Sequence, residues 1–138
     1  MDSIDIAICA LNRGKQWAQG ALRALEDKRW NDVIYSCQMA IDLALRSVLI
    51  YLEIGHPKKE NIHNLYYSKL KELRLPEWFL EKIENHSKIL GELSDKKEIS
   101  AYGYFDGISE DYFKDDVNYY LENTLNILME CGSLIQEL

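Results

Sequence analysis

WNDVIYSCQMAIDLALRSVLIYLEIG, residues 30–55, is the stretch that decides the fold. Val33, Ile34, Cys37, Ala40, Ile41, Ala44, Leu45, Val48, Leu49 and Leu52 recur at the i, i+3, i+4, i+7 spacing of one helical face, sustained for about six turns. Tyr35, Met39, Leu43, Ile50 and Tyr51 add apolar surface beyond that stripe. A helix apolar over so much of its circumference belongs at the centre of a bundle. Asn31 is the expected N-cap, with Asp32 in the first turn, and Gly55 is the expected stop.

The rest of the chain reads as further helices around this one. Residues 3–27 carry Ile4, Ala7, Ile8, Leu11, Ala18, Ala21, Leu22 and Leu25 as one stripe, with Asp2 or Ser3 as cap. Gly14 and Gly20 inside it point to close approach of a neighbouring helix. The short polar link Asp27–Lys28–Arg29 requires the first two helices to run antiparallel. A polar loop, HPKKENIHN, follows Gly55, and Asn64 then caps a short helix over about 65–73. Pro76 stands at the first position of another helix over 77–93. Residues 94–108, SDKKEISAYGYFDGI, hold two glycines and no apolar period, and predict the longest loop. Ser109, Glu110 and Asp111 open a final helix on Phe113, Val117, Leu121, Thr124, Leu125, Leu128, Cys131 and Ile135. With no alternating strand and no repeat, the expectation is an all-α antiparallel bundle of three long and two shorter helices, one domain over residues 1–138.

Composition narrows what such a bundle does. Asp42 and Arg46 interrupt the longest apolar run, which argues against a membrane span. The acidic start lacks the basic region of a signal peptide, so the expected location is cytoplasmic. Cys9, Cys37 and Cys131 are odd in number, scattered and set in helical patterns, as expected of buried free thiols. The net charge of −7 disfavours nonspecific binding to nucleic-acid backbones and leaves a small ligand or a protein partner.

No motif for a metal or a cofactor is present. His56, His63 and His86 lack metal-ligand spacing, and Gly103 and Gly107 do not form a phosphate loop. The candidate ligand-binding residues are Lys96, Lys97, Tyr102 and Tyr104, with His63 behind them. Lysines interleaved with tyrosines hold a nucleotide through charge on phosphate and stacking on the base. The competing reading is a solvated segment whose aromatics fold back over the bundle. Lys58 and Lys59 form a second small basic spot. His63 either contacts a ligand phosphate or tethers the loop to the end of the central helix by hydrogen bonding. Tyr112, Tyr119 and Tyr120 serve either a partner surface or the core.

The order of features resembles the HEPN domain family of small helical bundles. The resemblance rests on RWNDVIYSCQMAIDLALRSVLIYLEIG, on HPKKENIHNL with its His before a Leu, and on AYGYFDGIS leading into a long, acidic-capped last helix. It implies one of two activities. Many members are metal-independent ribonucleases with an Arg and a His four to six residues apart. No arginine precedes His56, His63 or His86 at that distance, and Ala101 precedes Tyr102 where similar members carry Arg. Other members are non-catalytic, dimerise through their helices, pair with a small nucleotidyltransferase or bind nucleotides. The expectation is therefore a non-catalytic, homodimeric binding module associated with a nucleotidyltransferase in a two-component, toxin–antitoxin type of system. The alternatives are a divergent ribonuclease using a pair such as His63 and Lys97, and a purely structural dimer.

Overall fold

A computed structural model describes residues 2–55 and 61–137. The helices are α1 (Ser3–Glu26), α2 (Trp30–Tyr51), α3 (His63–Leu70), α4 (Glu77–Leu80), α5 (Ile83–Tyr102) and α6 (Val117–Glu137), with a 3₁₀ turn at Gly103–Asp106 between the last two. Among the described residues there is no strand. Lys58 and Lys59 lie outside the described residues.

The central helix is where its periodicity put it. Val33, Ile34, Cys37, Ala40, Ile41, Ala44, Leu45, Val48 and Leu49 are all buried, and α2 packs against α1, α5, α6 and α3. It has the length and apolarity of a membrane span, yet most of its surface lies inside the bundle, as in a core helix of a soluble fold.

The α1–α2 seam runs on small residues. Ala7, Gly14, Ala18, Ala21 and Ala24 face inward with Leu11, whereas Ile4, Ile8 and Leu22, expected in the same stripe, stay partly exposed on its flank. A Cβ at Gly14 would lie 3.0 Å from the Ala40 carbonyl oxygen and 3.2 Å from Leu128 Cδ2. At that distance of approach, larger side chains have no room along the seam. Gly20 has nothing within 4 Å of a built Cβ, so only Gly14 marks a helix contact. Cys9 is exposed, contrary to expectation, because it lies across the helix from Ala7 and Leu11.

Helix ends differ from the sequence reading in chemistry more than in position. Arg29, not Asn31, precedes the first turn of α2, and its guanidinium pairs with Asp32 and Asp27. Asn31 falls inside the helix, and its buried Oδ1 has no partner among the described residues. Both α1 and α2 stop in Schellman geometry. Lys28 N–H donates to Leu25 O and Arg29 N–H to Ala24 O; Glu53 N–H donates to Ile50 O and Ile54 N–H to Leu49 O. Lys28 (φ 60°) and Glu53 (φ 58°) take the left-handed position usually given to glycine. Gly55 comes two residues after the turn it was expected to make.

The largest departure is at 94–108. The helix expected to end near Leu93 breaks instead at Glu81–Lys82 and then runs on to Tyr102. Lys, Glu and Ala are good helix formers, and between Leu93 and Gly103 the buried position is Ser100, with Ile99 the one large aliphatic side chain packed on the core. The segment therefore lacks an apolar signal while keeping helical structure. The last helix starts later than expected. Residues 110–116 form successive turns that bury Phe113, and α6 begins at Val117.

Gly14 and Gly20 should respond in opposite directions to alanine. Gly14→Ala crowds a backbone oxygen and should cost about 1–3 kcal/mol. Gly20→Ala adds a methyl in open space and should stabilise by about 0.5–1 kcal/mol. Urea denaturation of the two variants measures both.

Candidate functional site

Polar residues on α2 recur every fourth position, at Gln38, Asp42 and Arg46. That spacing puts them on one edge of an otherwise apolar helix. Across from them, α5 presents Ser94, Lys97, Glu98, Ala101 and Tyr102, and the two edges line a groove of about 590 Å³ with Tyr35, Met39 and Asn61. This is the size range of small-ligand sites.

The cations of the groove are held in place by their neighbours. Arg46 Nε donates to Asp42 Oδ2 at 2.7 Å, both side chains being largely buried. Lys97 Nζ sits 5.9 Å from the centroid of the Tyr35 ring, a cation–π distance. With Asp42 and Glu98 opposing Arg46 and Lys97, the lining is formally neutral on a chain of net charge −7. Gln38 is 6 % exposed, and its Oε1 has no hydrogen-bond partner among the described residues. An unsatisfied buried acceptor of this kind costs about 1–3 kcal/mol.

The five residues singled out from sequence separate into four places. Lys97 and Tyr102 line the groove. Tyr102 and Tyr104 also border a second hollow at the 3₁₀ turn. Lys96 turns toward α6, its Nζ 5.7 Å from the Tyr120 ring centroid. His63 opens α3 and packs on α5, where a Cβ at Gly91 would be 3.2 Å from its Cδ2. Its carbonyl accepts from Ser87 Oγ at 2.9 Å, so the tether runs to α5 through the backbone, not to the central helix. The imidazole Nδ1 is buried with no partner among the described residues. The three tyrosines of the last segment also divide: Tyr120 is buried and donates to Glu92 Oε1 at 2.9 Å, while Tyr112 and Tyr119 are exposed.

A buried polar chain that periodicity alone does not reveal links α3, α5 and α6. His86 is fully buried between Tyr66 of α3 and Glu130 of α6, with 2.9 Å from Tyr66 Oη to Nδ1 and 2.9 Å from Nε2 to Glu130 Oε1. A carboxylate only accepts, so Nε2–H donates to Glu130, and in the neutral imidazole Nδ1 then accepts from Tyr66 O–H. Phe79 closes the ring of contacts edge-on, 5.5 Å from the imidazole centroid. Burial, followed by contact with Cys131, pushes the Tyr66 hydroxyl well above its usual range. Burial likewise raises the Cys131 thiol, and raises Cys37 to about 11 against a weaker opposing bond to Thr124. Neither thiol is a nucleophile near neutral pH. No cluster of metal-ligating side chains occurs among the described residues.

The chain is a small all-α bundle with an aromatic-walled polar groove beside its central helix. The HEPN domain family model matches residues 10–134, and the chain belongs to the HEPN domain family. No curated protein and no solved structure matches it.

Of the residues in the groove and the buried chain, Gln38, Asp42 and Arg46 had a legible signal in their fourfold spacing within α2. Tyr66, His86 and Glu130 had none, since the three stand on different helices. Tyr66→Phe removes the donor to Nδ1 and leaves a buried acceptor unpaired. Its thermal or urea unfolding should show a loss of about 1–3 kcal/mol with the helical content of the native state unchanged.

Proposed function

We propose that this HEPN domain is a non-catalytic nucleotide-binding partner module. The observation that carries the reading is the α2–α5 groove, where two cations, two tyrosines and two amide side chains line one hollow. Arg46 and Lys97 provide charge for phosphate, and Tyr35 and Tyr102 provide faces for a base. Gln38 and Asn61 offer amides to a base edge, and the unpartnered Gln38 oxygen is a ready acceptor once its amide turns into the groove. Tyr104, Lys96 and His63 act outside this groove on the same reading. The setting proposed is a cytoplasmic two-component system of the toxin–antitoxin kind, with a small nucleotidyltransferase as partner.

Self-association has its own support. A shallow groove between α1 and α6 carries exposed Leu22, Leu125 and Met129, and among the described residues no carboxylate lines it in a chain with 23 acidic residues. A second copy would meet there without the repulsion of two acidic bodies. The ribonuclease reading has weaker support, because His63 packs at Gly91 and does not line the groove that holds Lys97.

Titration of the purified protein with ATP by calorimetry tests the groove. Saturable binding should weaken about tenfold or more with Lys97→Gln and with Tyr102→Ala, and be unchanged by Lys96→Gln. No binding at millimolar ATP, or equal losses at Lys96 and Lys97, would remove the nucleotide reading. Sedimentation equilibrium tests the dimer: the native chain should run as a dimer and the Leu125→Glu, Met129→Glu double variant as a monomer. A monomeric native chain would sink that part of the proposal.

A further inference from the structure

The segment after α5 turns large aromatic side chains outward. Tyr102 is 64 %, Tyr104 74 % and Phe105 86 % exposed, in a run of four residues. Each such ring left in water forgoes about 1.5–3 kcal/mol of burial, and three adjacent ones form a patch of the kind that marks interaction sites.

The tip is built, not loose. Gly107 N–H donates to Tyr104 O and Ile108 N–H donates to Gly103 O, with Gly107 in the left-handed region that the turn needs. Gly103 is buried, and a Cβ there would lie 3.1 Å from Ile108 Cβ and 3.3 Å from Ile99 Cγ2. The 3₁₀ turn is thereby seated on two isoleucines while its rings face out. A held surface loses less freedom on binding than one that must order first.

Charge states what the surface fits. The hollow lined by these aromatics holds three ionisable carboxyl side chains, Asp95, Glu98 and Asp106, and no lysine or arginine. None of the three makes an ion pair among the described residues. Unpaired carboxylates beside aromatic faces suit a cationic side chain on two counts, Coulomb attraction and cation–π contact. A nucleic-acid strand would stack on the rings but be repelled by the carboxylates.

We infer that the 3₁₀ tip between α5 and α6 is a docking surface for a basic, Lys- or Arg-bearing segment of a partner protein. The partner's aliphatic or aromatic side chains would cover Tyr104 and Phe105 while its cations meet Asp95 and Asp106. The inference goes beyond the nucleotide-binding reading and does not rest on it, since Tyr104, Phe105, Asp95 and Asp106 do not line the α2–α5 groove.

The test is fluorescence anisotropy with a labelled peptide of alternating Lys and Leu, and a Glu–Leu peptide as counterpart. Three forms of the full chain are compared with the native one: Tyr104→Ser with Phe105→Ser, Asp95→Asn with Asp106→Asn, and a charge-matched control, Asp2→Asn with Asp5→Asn, at the start of α1. All changed residues are exposed, so circular dichroism should show native helix content in each. The Lys–Leu peptide should bind the native chain and bind each tip variant about tenfold or more weakly, with the control within about twofold of native. Binding that tracks net charge alike at both ends, that survives loss of Tyr104 and Phe105, or that is matched by the Glu–Leu peptide overturns the proposal. So does binding of a polyuridine strand to the tip in place of the peptide. ATP affinity measured on the same tip variants should stay native, which separates failure here from failure of the groove.

Discussion

The packing of Gly14 against the Ala40 carbonyl is the contact on which the rest of the bundle depends. Small residues along α1 let two helix backbones approach closely, and the large side chains of α2 are then free to fill the space toward α5 and α6. Burial on several sides at once is what makes α2 central. It is also why a helix with the apolarity of a membrane span sits mostly buried inside the bundle.

With the apolar surface of α2 consumed in this way, its few polar residues acquire their positions. Gln38, Asp42 and Arg46 fall on the one edge where α1 and α6 do not close over the helix, and α5 supplies the opposite wall. On the other side of α5, the bond chain from Tyr66 through His86 to Glu130 ties α3, α5 and α6 together in the core. Such a chain is favourable only when every member is satisfied, because unpaired polar groups in a low-dielectric interior are costly. It adds a polar tie between α5 and α6, which meet sparingly, to the direct packing of α3 on α5.

The same division explains where sequence reading succeeded. The helix periods of residues 3–27, 30–52 and 117–135 were legible because each element buries a broad apolar face. Residues 94–102 were not, since Ser100 is their one buried position and Ile99 their one large aliphatic side chain against the core. Reading apolar period alone makes such a helix look like a loop. Lys97 and Tyr102 were recognisable as lysine and tyrosine in proximity, but nothing in their order distinguished Lys97, which faces Tyr35, from Lys96, which faces Tyr120. A single residue step turns a helical side chain by about 100°.

Sequence by itself determined that this chain is a helical bundle around residues 30–52, with the order of features of a HEPN domain. Hydrophobic spacing is a local property and survives in one dimension. Only the tertiary structure decided which polar residues meet. Arg46 reaches the groove with Lys97 across more than fifty positions of chain, and His86 finds Tyr66 and Glu130 on two other helices. Those meetings depend on interhelical register and rotation, which no spacing within a single helix records.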